Sequence, residues 1–457
     1  MSPGRFDGVT VCPVRATAPT GWISLVGTTN GAGTGQNGAM THRSNWAGTY
    51  EYRAADILEP DSIEEVQSLV RSSDRIRALG TRHSFNALPD TPGTLLHLGR
   101  ISPDPVIDAD ASTVTVGGAT RYGIVAQHLH AAGYALHNMG SLPHISVAGA
   151  ISTGTHGSGD RNANLSSAVS ALELVTADGS LRTIRRGEPG FEGLVVGLGA
   201  FGIVTRVTLD IQPTFDVRQD AFVDLPWDRV LDDFDAITSS AYSVSLMTHW
   251  SSPTVEQLWL KTKVEKGSVA DVDATHLGAI AASASLFAVS EGVDSNLNPF
   301  GGSVGPWSER LPHFRLDREP SAGDEIQSEY MVPRSRIREA IVALRAIGDR
   351  IDEVLLITEL RTMAGDDQWL SPASERDSVG IHFTFAKDRA GVDAVLPAVE
   401  GALLPLGARP HWGKHFLAGA DEIAPLYPHL PEWRALVGEW DPSGRFASDF
   451  VRERLLG

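Results

Sequence analysis

The chain has 457 residues, of which 42% are hydrophobic and 21% charged, the composition of a globular protein long enough to build two domains with sizeable cores. Lys and Arg number 38 against 56 Asp and Glu, and the resulting net charge of −18 repels nucleic acid and anionic membrane surfaces while tolerating a neutral or cationic small substrate. Cys12 is the only cysteine, which excludes an intrachain disulfide framework and Cys-rich zinc or iron–sulfur sites and points to a reducing, cytoplasmic location.

Residues 1–40 are rich in Gly, Thr and Asn and lack the compact apolar run of a signal peptide, so they read as a disordered leader, with Met40 as an alternative start. No apolar run is long enough for a transmembrane helix. Order begins further on. Pro60-Asp61-Ser62-Ile63-Glu64-Glu65 supplies a cap and first-turn acids, and Ile63, Val66, Leu69 and Val70 then share a helical face. Strands are expected at Ile76 to Leu79, Thr94 to Leu98 and Thr113 to Val116, and a helix through Tyr122, Val125, Ala126 and Leu129. Ala171 to Val175 and Leu181 to Ile184 flank Asp178-Gly179, a hairpin signal, and Ile203, Thr205, Val207 and Leu209 alternate as a strand.

Pro213 closes this region. Beyond Phe215 the segments lengthen, and alternation at Ser243 to Trp250 and Gln257 to Lys263 predicts a broad antiparallel sheet in a second domain. Gly267 to Pro320 has no periodicity and reads as a long excursion. A helix is expected over Arg334 to Ile351, then strands at Val354 to Thr362 and Val379 to Phe385.

Two stretches carry chemistry. In I-R-A-L-G-T-R-H-S-F-N, from Ile76 to Asn86, a glycine turn ends an apolar strand and is followed by His83. In S-L-P-H-I-S-V-A-G-A-I-S-T-G-T-H-G-S-G, from Ser141 to Gly159, small residues expose backbone N–H groups suited to a pyrophosphate. Neither is a G-x-G-x-x-G followed by an acidic ribose contact, which disfavours a nicotinamide site. On its own, His83 reads equally as a turn-capping or half-buried residue. His156 lacks a second ligand at coordinating spacing, so no metal site is expected.

Together these stretches resemble the vanillyl-alcohol-oxidase type of FAD-binding domain, and more closely the alditol (xylitol) oxidases, from about Asn45 in N-W-A-G-T-Y-E-Y to the C-terminus. The resemblance implies an α+β, two-domain flavoprotein: a PCMH-type FAD-binding domain over 41–213, a cap domain with a large antiparallel sheet over 214–414, and a return to the flavin domain over 415–457, where Asp441-Pro442-Ser443-Gly444-Arg445-Phe446 matches the returning segment. It implies FAD bound covalently through His83. Gly80, Thr81, Arg82, Ser84, Phe85 and Asn86 would surround that link. Ser141, Ser146, Gly149, Thr153, Gly154, Thr155, His156, Val204 and His411 would complete the cofactor site.

The family draws its substrate groups from Glu359-Leu360-Arg361 and His411-Trp412-Gly413-Lys414. Glu359 and Arg361, two apart, project from one face of a strand. By the resemblance, Arg361 and Lys414 would meet the reacting hydroxyl, Glu359 the next ones, and Ser141 and Thr384 those beyond. Without it, Glu359 and Arg361 read as an ion pair and Lys414 as a solvated surface lysine. The implied activity is oxidation of a terminal primary alcohol of an alditol such as xylitol or sorbitol, with O2 reduced to H2O2, by a monomer. Competing readings are an aldonolactone oxidase or dehydrogenase of the same fold and a non-catalytic sugar-binding protein. One departure stands out: Gly140 occupies a position where the resembling oxidases typically carry alanine.

Overall fold

A computed structural model describes residues 43–264, 272, 274–282, 296–318 and 323–457, so the expectation for the leader lies outside the described residues. Strands β1 (Asp56–Leu58), β2 (Ile76–Ala78) and β3 (Thr94–Leu96) form a parallel sheet in the order β1-β3-β2. Helix α1 (Ile63–Ser72) makes the first crossover. It starts where capping chemistry placed it, Ser62 Oγ accepting from the Glu65 N–H at 3.1 Å, and it buries Val66 and Val70 against Ile76, Leu96 and Phe446.

The next unit is antiparallel. It comprises β4 (Val106–Asp108), β5 (Thr113–Gly117), β7 (Val169–Val175), β8 (Leu181–Arg185) and β9 (Ile203–Asp210), ordered β4-β5-β9-β7-β8. The β7–β8 hairpin turns at Gly179, whose φ of +78° is the left-handed conformation that a side chain disfavours. Helix α2 (Tyr122–Ala131) follows β5, and the short β6 (Tyr134–Ala135) pairs with β10 (Gln212–Pro213). Within the glycine-rich stretch, Val147–Ser152 forms a one-and-a-half-turn helix, α3, anchored by buried Val147, Ala150 and Ile151.

The chain then builds a nine-stranded antiparallel sheet from β11 (Asp216–Pro226), β12 (Ser243–Thr248), β13 (Thr254–Val264), β14 (Ile280–Ala281), β15 (Ser303–Pro306), β16 (Glu325–Pro333), β17 (Leu355–Met363), β18 (Ser378–Ala386) and β19 (Arg409–Pro410). Its order is β14-β11-β13-β12-β17-β18-β16-β19, with β15 also on β11. Helices Trp227–Thr238, Ile337–Arg345 and Arg389–Leu403 pack on one face, against Tyr330, Leu360 and Ile381, which stand opposite one another on neighbouring strands. On the other face the same register aligns Glu329, His382 and Glu359. Both faces are buried, and one of them is polar.

Three expectations need correction. The Gly267 to Pro320 excursion carries β14, β15 and a helical turn at Trp307–Arg310, because its short strands pair along the edge of long β11 and need no apolar period of their own. The helix expected over Arg334 to Ile351 is split into a 3-10 turn (Arg334–Arg336), Ile337–Arg345 and Gly348–Asp352. At the break Gly348 comes so near Trp250 that a Cβ would lie 2.9 Å from the Trp250 carbonyl carbon. Finally, Glu325–Pro333 is a full strand where none was expected, since its alternating polar residues face the interior.

The C-terminal segment packs beside β2: the Ile76 N–H donates to the Arg445 carbonyl at 3.1 Å, and Asp449 pairs with Arg75 at 2.9 Å. Among the described residues, no helix is long and apolar enough to cross a membrane.

Candidate active site

The loop after β2 is shaped by two backbone constraints. A Cβ on Gly80 would lie 2.5 Å from Ser146 Oγ, so the two sequence stretches abut there, and Thr81 Oγ1 accepts from the Ser146 N–H at 3.2 Å. Arg82 takes a left-handed φ of 65°, with its guanidinium donating to the Ser44 carbonyl at 3.0 Å. This kink brings His83 to the wall of a cavity. His83 Nδ1 lies 3.0 Å from Thr81 Oγ1, whereas Nε2 is buried with no partner, and the ring stacks on Trp46 with centroids 5.1 Å apart. Burial, reinforced by the charge of Lys414, lowers His83 to about 3, so the imidazole is neutral near pH 7.

Gly80, Thr81, Arg82, Ser84 and Phe85 line the cavity beside His83, as do Ser146, Gly149, Thr153, Thr155, His156, Val204 and His411. Two of the expected cofactor residues do not. The Asn86 amide donates to the carbonyls of Trp412 (2.9 Å) and Lys414 (2.7 Å), tying the His83 loop to the H-W-G-K segment. Gly154 has φ +64°, and a Cβ there would meet Pro372 at 2.6 Å, so its glycine answers to backbone packing.

The polar face of the large sheet lines the same cavity. Arg361 donates to Ser141 Oγ at 3.0 Å and to Glu329 Oε1 at 2.9 Å, and its Nε lies 3.5 Å from Glu359 Oε2. His156 Nε2 is 3.0 Å from Glu329 Oε1, and His313 Nε2 is 2.7 Å from Glu359 Oε1. Thr384 Oγ1 is 3.2 Å from His382 Nε2. Lys414 Nζ donates to Gln327 Oε1, and His411 Nδ1 accepts from the Gly413 N–H at 3.0 Å. Glu359, Arg361, Thr384 and Lys414 therefore line one cavity, with Ser141 held against Arg361.

Electrostatics decides their charge states. Burial works to raise the Glu359 and Glu329 carboxyls, but the former faces Arg361 and His313 and the latter His156, Arg361 and His382, so both are held well below the usual carboxylate range. Burial opposes the Arg361 charge, yet Glu359 and Glu329 keep it cationic. Lys414 differs: loss of hydration brings it down to about 8, against the opposing pull of Glu329 and Glu325. The solvated surface lysine of the plain sequence reading is thus set aside. At that value a larger share of it is the neutral amine near pH 7 than for a surface lysine.

The residues present fit a flavin dinucleotide. His83, whose Nε2 is buried without a partner, lines the cavity, and so do Gly80 and Gly118, where a side chain would collide, at Gly118 2.5 Å from the Val204 carbonyl oxygen. Sequence reasoning missed Trp46, Gln327, Glu329, His313 and His382. The alternation Glu325-Gln327-Glu329 was a usable signal, the same two-residue period that paired Glu359 with Arg361. His313 had none, since it sits in the aperiodic excursion.

A family model described as an FAD binding domain matches residues 54–185, and one described as D-arabinono-1,4-lactone oxidase matches residues 323–454. The chain is 43% identical to an alditol oxidase of Streptomyces sp., with 91% of this chain and 99% of the relative covered. It is 26% identical to an L-gulono-1,4-lactone dehydrogenase of Mycobacterium tuberculosis (91% and 99% covered) and 25% identical to an L-gulonolactone oxidase of Bos taurus (90% and 97%). Cholesterol oxidase from B. sterolicum superposes with a TM-score of 0.71 at 15% identity, covering 90% of this chain and 96% of that one, which speaks to the fold. With this identity over nearly the whole of both sequences, the chain belongs to the alditol oxidase family of FAD-dependent, vanillyl-alcohol-oxidase-type oxidoreductases.

Proposed function

We propose that this protein oxidises the terminal primary alcohol of an alditol, such as xylitol or sorbitol, to the aldose, with O2 reduced to H2O2 and FAD held covalently through His83. The observation that carries the reading is one cavity lined both by His83, whose Nε2 is buried without a partner, and by Ser141, Glu359, Arg361, Thr384 and Lys414. The similarity to the Streptomyces alditol oxidase supports the substrate class. Residues 41–213 and 415–457 serve the cofactor in this reading, and 214–414 the substrate, in a cytoplasmic monomer.

When bound, FAD supplies a hydride acceptor at N5 and returns the electrons to oxygen. The chain supplies the rest. The alcohol carbon loses hydride while its hydroxyl loses a proton, and that hydroxyl is too weak an acid to ionise alone. Arg361, cationic and held by two carboxylates, stabilises the alkoxide character that develops. Lys414 takes the proton, being the group in the wall poised near neutrality. Glu359 accepts from the next hydroxyls, with Ser141 and Thr384 reaching those further along.

The match of residues 323–454 to a D-arabinono-1,4-lactone oxidase model favours a second reading, in which a cyclic lactone occupies the same wall. Anaerobic mixing of the flavin-loaded enzyme with C3 to C6 polyols and with aldonolactones separates the two. Bleaching by polyols, followed by rapid reoxidation with stoichiometric peroxide on admitting oxygen, is expected. Bleaching by lactones alone, or slow reoxidation, would overturn the alditol oxidase reading.

A further inference from the structure

We propose that His313 is a positioning residue for this reaction, holding the Glu359 carboxylate and the Ser141 segment in place for substrate hydroxyls, with buried Lys261 on its other ring nitrogen. The proposal rests on the polyol reading above and adds residues from the excursion and from β13 to its machinery.

Lys261 is an unusual feature of the interior. It sits on β13, opposite Ser243 and Gln219 on the neighbouring strands, and is 1% exposed. Its Nζ donates to the Leu311 carbonyl at 2.5 Å and lies 2.9 Å from His313 Nδ1. Nε2 faces a carboxylate held anionic, which can only accept, so the ring proton resides on Nε2 and Nδ1 is left to accept from Lys261. Nε2 is the nitrogen 2.7 Å from Glu359 Oε1. Burial and the charge of Lys261 lower His313 to about 4, so near pH 7 it is a neutral donor to an anionic Glu359. One lone pair of that carboxylate is thereby committed to the protein, and the orientation of the remainder is set toward the cavity that both residues line.

The backbone of the same residue reaches a second proposed substrate group. The N–H groups of His313 and Phe314 both donate to the Ser141 carbonyl, at 3.0 and 3.2 Å. Asn298 braces this segment, its amide donating to the carbonyls of Pro312 and Phe314 at 3.0 and 3.2 Å. The His313 ring also stands edge-on to Trp259, with centroids 5.0 Å apart. One residue thus couples Glu359 on β17 to Ser141 on the flavin-side stretch, and a rotated Glu359 would misplace hydroxyls that are bound equally in the ground and transition states.

The test compares His313→Leu, His313→Gln and Lys261→Met in the flavin-loaded enzyme, by stopped-flow reduction with xylitol under anaerobic conditions. A glutamine amide offers an acceptor and a donor side by side, as the imidazole does. His313→Leu should raise the xylitol concentration for half-maximal reduction by about tenfold or more while the limiting rate stays within about threefold, the signature of lost uniform binding. His313→Gln should restore it to within about threefold of wild type, and Lys261→Met should fall between. An unchanged half-saturation in His313→Leu, or a glutamine variant as impaired as leucine, would overturn the proposal. Should the leucine variant fail to retain flavin, Lys261→Met decides, and wild-type half-saturation there would refute it. Wild-type enzyme that xylitol does not bleach would instead sink the polyol reading itself.

Discussion

Arg361 reaches across an intervening strand to Glu329, donating at 2.9 Å from β17 to β16 over the top of β18. The bridge is open because β18 carries Gly380 there, opposite both Arg361 and Met331, and a Cβ at Gly380 would crowd His156 at 3.1 Å and Glu329 at 3.3 Å. Glu329 in turn pairs with His156, so one buried carboxylate joins the glycine-rich stretch to the polar face of the sheet.

Replacing Glu329 by Gln should therefore destabilise the protein by on the order of 3 kcal/mol at pH 7, because it leaves Arg361 with half its counter-charge in a buried setting. The native carboxyl is held below its ordinary value of 4.5. Its contribution is fully present above that value and is lost as pH falls through the lower, folded value. The wild-type advantage in denaturation midpoint should thus shrink in acid. An advantage independent of pH would contradict the electrostatic account.

Arg361→Met and Lys414→Met should each slow anaerobic flavin reduction by on the order of a hundredfold or more, with smaller effects on substrate affinity. In the wild type the reduction rate should rise with pH through about 8, as Lys414 loses its proton and becomes able to accept one. Lys414→Met should flatten that limb. A limb surviving in the variant would place the base elsewhere.

His83 predicts a flavin that survives acid denaturation. The yellow fluorescence should remain with the protein band, and proteolysis should yield a flavin-bearing peptide that contains His83. Release of all the FAD by acid would refute the covalent link. His83→Ala should still fold, with noncovalent flavin and slower reduction by substrate.

Thr384 offers a test through chain length. If it holds hydroxyls beyond those read by Glu359, Thr384→Val should penalise xylitol and sorbitol and leave glycerol nearly unchanged. The measurement is kcat/KM across C3 to C6 polyols, and an equal loss at every length would remove Thr384 from the substrate wall.

Gly140 has ordinary space around it: a Cβ would meet Ile145 at 3.5 Å and Thr155 and His156 at 3.7 Å, and its φ is not left-handed. Gly140→Ala should then stabilise by about 0.4–1 kcal/mol, chiefly by restricting the unfolded chain. Because Gly140 lines the cavity, the added methyl should also shift xylitol affinity. A fall in Tm would show that the glycine is required by the backbone.

Features that depend on neighbours along the chain could be read before folding was considered. Ser62 capping α1, Gly179 turning the β7–β8 hairpin, and the two-residue spacing that puts Glu359 and Arg361 on one face follow from local backbone preferences and strand periodicity, and they were legible as such. The His83 and Ser141 stretches were legible as motifs. Asn86 and Gly154, expected at the cofactor, are also engaged with the protein: the Asn86 amide holds the carbonyls of Trp412 and Lys414, and Gly154 packs against Pro372, and neither demand is encoded locally. Long-range packing alone sets β16 beside β18, turns its polar residues inward, and brings His313 on an aperiodic loop to Glu359. A buried polar residue is stabilised by partners that can lie dozens of residues away, and hydrophobic periodicity, which registers the exclusion of water from apolar groups, is silent about where those partners are.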